Sequence, residues 1–232
     1  MDTMQQNVIP RPEHPRPQFY RESWLNLNGL WEFDFDLCDS KKAQKWFDKD
    51  HYPQQILVPF CPESSLSGIQ YTDFMEAVWY RRNLTVTSGQ LDGRILIHFG
   101  AVDYHCEVYV NGELAGKHDG GFTSFTFDIT SLVHEGDNNH RVYAADHLRT
   151  GKQPGGKQSS SYYSQGCSYT RTTGIWQTVW LEFVPQIYLK GVETTPDPDN
   201  ACVHIKAFTN VPASGLQISA DACLDHESVG EM

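Results

Sequence analysis

Tyr169-Thr-Arg-Thr-Thr-Gly-Ile-Trp-Gln-Thr-Val-Trp-Leu-Glu182 is the stretch whose reading decides the fold. From Ile175 to Phe183 the side chains alternate, with Ile175, Gln177, Val179, Leu181 and Phe183 on one side and Trp176, Thr178, Trp180 and Glu182 on the other. A period of two belongs to a β-strand, whose successive side chains point to opposite faces. The residues before it are polar, with Arg171 and two threonines leading to Gly174, a residue that reaches backbone conformations closed to others. A polar loop therefore feeds a strand that carries aromatic bulk.

Working outward, the same period recurs. Trp24 to Asp36 contains a turn at Asn28-Gly29 and a strand whose Trp31, Phe33 and Phe35 share a face. Ile56 to Val58 is a short strand stopped by Pro59, and Phe60 to Thr72 has the Pro, Ser and Gly content of a loop. Strands follow at Val78 to Val86 and Arg94 to Phe99. Cys106, Val108 and Val110 then alternate with Glu107 and Tyr109 up to Asn111-Gly112, a pair suited to the positive φ angles of a type I′ hairpin turn. Gly120 to Thr130, with Phe125 and Phe127 on one face, and Gly136 to Asp146 complete the series. Lys41 to Asp50 suits a short helix or a solvated loop. Pro10, Pro12, Pro15 and Pro17 make residues 1–23 an irregular arm lying on the surface. Short strands separated by turns predict an all-β sandwich.

Composition narrows the function. A chain of 232 residues with 39% hydrophobic content can bury an ordinary core. A net charge of −11 argues against a nucleic-acid partner, because phosphate binding needs clustered Lys and Arg. The six cysteines show no Cys-x-x-Cys spacing. Met1 to Pro17 holds no apolar leader core, and no run reaches the roughly 18 apolar residues of a membrane helix. The expectation is a cytoplasmic protein with reduced thiols and no membrane partner.

Arg171-x-x-Gly-Ile-Trp-Gln-x-Val-Trp-Leu-Glu182 resembles the segment that closes the N-terminal sugar-binding domain of glycoside hydrolase family 2, the family of β-galactosidases and β-glucuronidases. Leu27-Asn-Gly-x-Trp-x-Phe33, Val58-Pro59 and Trp79-Tyr-Arg-Arg82 resemble further landmarks and stand in family order. The resemblance implies a jelly-roll sugar-binding sandwich over residues 1–185. It also implies that residues 186–232, with strands at Ile187 to Glu193 and Val203 to Phe208, begin an immunoglobulin-like sandwich. Such a sandwich takes about 100 residues, so this one is expected to be incomplete. The family's catalytic barrel, of about 250 residues, is not expected within this chain.

A retaining glycosidase uses two carboxyl groups about 5–5.5 Å apart. In the family both are barrel glutamates, one of them following an asparagine, and no Asn-Glu dipeptide occurs here. No catalytic residue is therefore expected, and Glu107, Glu113 and Glu182 read as strand-face or turn residues. Gly151 to Gln158 nearly spells a phosphate loop, but Gln158 replaces the required Ser or Thr and no helix pattern follows. His134-Glu135 and His140 do not make a His-Glu-x-x-His motif, so no metal or other cofactor is expected. Asn83-Leu-Thr85 falls inside a strand and reads as a chance glycosylation sequence.

Sugar pockets combine an aromatic face with a few placed polar groups. Trp31, Trp79, Trp176 and Trp180 are either core or platform. The resemblance implies that an acidic residue near Asp146 reaches the substrate, the alternative being a turn-stabilising role. Arg171 matches a family arginine, either a sugar contact or a structural ion pair. The favoured reading is a non-catalytic region that shapes the active site of a β-galactosidase-like enzyme and has carbohydrate and the barrel as partners. A stand-alone carbohydrate-binding module and a structural assembly domain, such as a homo-oligomer contact, are the alternatives.

Overall fold

The computed structural model describes residues 9–212 and 214–231 and is built almost wholly of strands; among the described residues no α-helix forms. The chain divides after Pro185 into two compact units. In the first, the strands are β1 (Trp24–Asn26), β2 (Gly29–Asp36), β3 (Gln54–Val58), β4 (Ala77–Val86), β5 (Arg94–Phe99), β6 (Val102–Asp103), β7 (His105–Val110), β8 (Glu113–Asp119), β9 (Phe125–Asp128), β10 (Gly136–Ala145), β11 (Gly174–Ile175) and β12 (Val179–Val184). One sheet runs β1-β12-β5-β9 and the other β3-β2-β4-β10-β7-β8, every pair antiparallel. This is the all-β sandwich that the strand spacing predicts.

Period two explains the core. Trp31 and Phe33 from β2, Val78 and Tyr80 from β4, Val142 from β10 and Val108 from β7 meet Ile95, Ile97 and Phe99 from β5 and Val179 and Leu181 from β12 in one buried cluster. Phe35 packs on the same cluster, so Trp31, Phe33 and Phe35 do share a face. Burying side chains of this size stabilises by about 1.5–3 kcal/mol each. At the β7–β8 turn, Asn111 (φ 51°) and Gly112 (φ 84°) take the two positive φ angles of a type I′ loop. The Asn111 amide also donates to Asn138 Oδ1 and the Leu132 carbonyl, at 2.8 Å each.

The outer faces are covered too. Trp79 lies on the outer side of the six-stranded sheet, packed with Tyr109 and Tyr143, and its indole donates to Asp36. Tyr52 and the half-buried Trp46 and Phe47 roof this face. The segment Lys41 to Asp50 is thus neither the helix nor the solvated loop expected: it holds a single 3-10 turn, Trp46–Asp48, because its aromatics have an apolar face to cover. Trp180 sits on the outer side of the other sheet, stacked on His98 at 4.7 Å, with the Arg16 guanidinium 5.3 Å from its ring. Residues 9–23 of the arm are irregular apart from a 3-10 turn at Pro17–Phe19; residues 1–8 lie outside the described residues.

Two further expectations need correction. The alternation Ile175 to Phe183 is not one strand. β11 pairs with β6, β12 pairs with β5, and Trp176 to Thr178 bridge them. Trp176 donates to the Ala101 carbonyl (3.4 Å) and Gly100 to the Thr178 carbonyl (2.9 Å), so the backbone stays paired through the switch. Gly174 starts it at φ 75°, with the Tyr80 hydroxyl where a side chain would stand. Gly120 to Thr130 likewise shortens to β9, its glycine-rich start forming a turn.

The second unit holds two hairpins, β13 (Leu189–Asp197) with β14 (Cys202–Thr209) and β15 (Asp221–Leu224) with β16 (Glu227–Glu231). Val192, Val203, Ile205 and Val229 are exposed.

Candidate functional site

β10 ends at Ala145, where the chain leaves the sheet and the next side chain, Asp146, can turn toward the loops. Its amide donates to the Glu76 carbonyl at 3.1 Å, and its carboxylate Oδ1 accepts from Gln153 Nε2 at 2.6 Å. Gln153 Oε1 in turn accepts from the His147 amide, fixing both residues. Asp146 is buried, and desolvation raises its pKa against the opposing hydrogen bond from Gln153. It lines a cavity of about 320 Å³ together with Phe74, Glu76, His147, Arg149, Arg171 and Thr173, among others.

Two more carboxyl groups are buried nearby in the first unit, Glu63 in the loop after β3 and Asp103 at the end of β6. Glu63 accepts from the Thr173 amide at 3.1 and 3.2 Å, and burial pushes its pKa up to about 7. Asp103 accepts from Gln158 Nε2 at 2.7 Å. Its pKa also rises to about 7, from burial first and the charge of Asp146 second. Gln158 then accepts from the Thr172 amide at 2.7 Å, tying Asp103 to the segment that carries Arg171 and Thr173. The near-match to a phosphate loop therefore serves a different purpose: Gln158 cross-links the end of β6 to the segment before β11.

The rim is aromatic and cationic. The guanidinium carbons of Arg149 and Arg171 lie 4.1 and 4.2 Å from the Phe74 ring centroid, and Tyr162 meets Phe74 edge-on at 5.3 Å. His147 Nδ1 and Glu76 Oε2 are 2.7 Å apart. The two residues singled out by sequence are thus brought to one cavity in different states. Asp146 sits in its wall, its carboxylate held by the Gln153 side chain and also bonded by the Leu148 amide and the Thr173 side chain. Arg171 is buried with its guanidinium donating to the carbonyls of Ser161 (2.5 Å), Ser159 (3.4 Å) and Thr72, so it clamps loops. Of the four tryptophans considered, Trp31 is core, Trp79 and Trp180 are buried on outer faces, and half-buried Trp176 donates to the Gly121 carbonyl at 2.8 Å. Glu63, Asp103 and Phe74 escape a reading of motifs because they belong to none. The only sequence signal is that each lies in or beside a loop bounded by a strand.

The fold is a two-sheet antiparallel sandwich with a polar, aromatic-rimmed cavity among the loops at a strand end. Residues 59–178 match the family model described as the glycosyl hydrolase 2 galactose-binding domain-like domain, and the chain belongs to that family. It is 27% identical over 212 residues to a β-galactosidase of Thermoanaerobacter pseudethanolicus, covering 86% of this chain and 25% of that protein. It is 30% identical over 155 residues to a putative β-glucuronidase of Formosa agariphila, covering 65% and 18%. Among solved structures, a β-glucuronidase of an uncultured Clostridium aligns with a TM-score of 0.69 at 25% identity, over 92% of this chain and 38% of that one. The chain thus spans about a quarter of the length of the curated relatives it matches.

Proposed function

We propose that the chain is the non-catalytic N-terminal region of a β-galactosidase-like glycoside hydrolase. It shapes one wall of an active site for terminal β-linked sugars, and the two catalytic glutamates are supplied by a barrel outside these residues. The observation that carries this reading is Asp146: a buried carboxyl group held at a strand end in a cavity walled by Phe74 and cationic side chains. A carboxyl in such a place can accept from sugar hydroxyls while Phe74 offers an apolar surface to the ring. Glu63, Asp103 and Arg171 hold the loops that form the cavity. The exposed Tyr162 and Tyr163 favour a second reading, a stand-alone carbohydrate-binding module.

The test has two arms. The chain alone should not hydrolyse nitrophenyl β-galactoside or β-glucuronide. In the full-length glycosidase, Asp146→Asn should lower kcat/KM by about 10- to 100-fold, the loss of roughly 1.5–3 kcal/mol from one charge-assisted hydrogen bond. Mutation-sensitive turnover by the chain alone would end the reading. Unchanged kcat/KM in the variant would remove Asp146 from the site, and sugar binding by the chain alone that needs Tyr162 and Tyr163 would favour the module.

A further inference from the structure

The β13–β14 hairpin carries three ligand-type side chains on one face. Cys202 and His204 are two apart on β14 and so point the same way, and Asp197 is the register partner of Cys202 across the turn. Their donor atoms converge: Cys202 Sγ lies 3.9 Å from His204 Nε2, which lies 3.7 Å from Asp197 Oδ2, and all three fall within 4.8 Å of one another. Among the described residues no other trio of His, Cys, Asp or Glu meets this condition. Zinc bonds of about 2.3 Å to sulfur and 2.0–2.1 Å to nitrogen or oxygen place tetrahedral ligands roughly 3.3–3.6 Å apart. Only a few tenths of an ångström of closure is needed at the two short edges, and somewhat more at the third.

We propose that Asp197, Cys202 and His204 form a site for a divalent transition-metal ion of borderline softness, with Zn²⁺ the best fit. A thiolate and an imidazole select such ions over Mg²⁺ and Ca²⁺, which take oxygen ligands. Three protein ligands leave a fourth position open to water. The carboxylate is already oriented, since Asp197 accepts from the Asn200 side chain at 2.8 Å and from its backbone amide at 3.1 Å. This is the role that outer partners play around bound metals. Sequence motifs of the Cys-x-x-Cys or His-Glu-x-x-His kind miss the site, because a strand presents neighbours at two residues. The proposal is independent of the reading of the sugar cavity.

The whole chain, stripped of metal with a chelator, is titrated calorimetrically with Zn²⁺ and, in parallel, with Co²⁺ while the thiolate-to-cobalt absorption is followed. One equivalent should bind with that absorption. Cys202→Ser and His204→Ala should each abolish it, Asn200→Ala should weaken it about tenfold, and Cys223→Ser, an exposed thiol elsewhere in the unit, should leave it unchanged. Cys202 and His204 are exposed, so the variants keep the fold, which circular dichroism checks. No thiolate absorption in the wild-type chain, or equal binding in Cys202→Ser and His204→Ala, would overturn the proposal.

Discussion

The two units of this chain are written in the same alphabet and end in different states. β4 and β14 both alternate, yet Val78 and Tyr80 of β4 are wholly buried while Val203 and Ile205 of β14 are exposed. Alternation specifies a strand and decides which residues share a face. It does not supply the second layer that makes that face a core. In the sandwich, inward side chains of the six-stranded sheet such as Val78 and Tyr80 pack with those of the four-stranded sheet, and the outward Trp79, Tyr109 and Tyr143 pack with Trp46, Phe47 and Tyr52. In the second unit, hairpin pairs stand without a comparable layer among the described residues, and isolated two-stranded hairpins are marginal in water.

The largest test of that contrast is Trp31→Ala. Trp31 is 1% exposed at the centre of the sandwich, and removing it should cost about 3–5 kcal/mol. All six tryptophans lie within residues 24–180, so tryptophan fluorescence during urea unfolding reports the sandwich alone. A loss below about 1 kcal/mol would show that the inter-sheet core is not what holds it.

How much of this was readable from residues alone follows from the same contrast. Trp31, Phe33 and Phe35 and the Asn111-Gly112 hairpin rest on local periodicity or on turn geometry, and the structure places them as read. The break between β11 and β12 was not readable, because period two runs unbroken through Trp176 to Thr178 while the hydrogen-bond partner changes from β6 to β5. Gly174 was the only local hint. Trp79 and Trp180 were ambiguous because a tryptophan at an outward position stays buried only if something distant covers it, here Tyr109 and Tyr143 in one case and Arg16 and His98 in the other. In the cavity, Asp146 could be picked out at a strand end, whereas Glu63 and Asp103 acquire their character only from burial, which no short window of sequence contains.

Those two acids give the next largest effect. In the unfolded chain Glu63 and Asp103 ionise near 4.5 and 3.8, and in the sandwich they hold their protons to about 7. Between those values the folded state binds more protons, so their contribution is fully present at low pH and is lost as pH rises through about 7. Buried His140 opposes this: burial lowers its pKa to about 4, so its share is lost as pH falls from 6.5 toward 4. The difference between wild type and Glu63→Gln isolates the acid. The wild type should lose on the order of 1–3 kcal/mol relative to the variant between pH 4.5 and 7.5, by the same fluorescence measurement. A difference that does not move with pH would mean that Glu63 is ionised in the folded state.

The smallest expected effect tests the other half of the comparison. Ile205 lies mid-strand in β14, paired with Thr194 and 38% exposed. A core isoleucine changed to threonine buries an unpaired hydroxyl and loses a methylene group, which costs more than about 1 kcal/mol. On an open hairpin face the hydroxyl stays in water, and threonine suits a strand as well as isoleucine does. Ile205→Thr should therefore alter amide exchange across β13 and β14 by no more than about 0.5 kcal/mol. A slowing or quickening well beyond that would mean that this face is covered in solution.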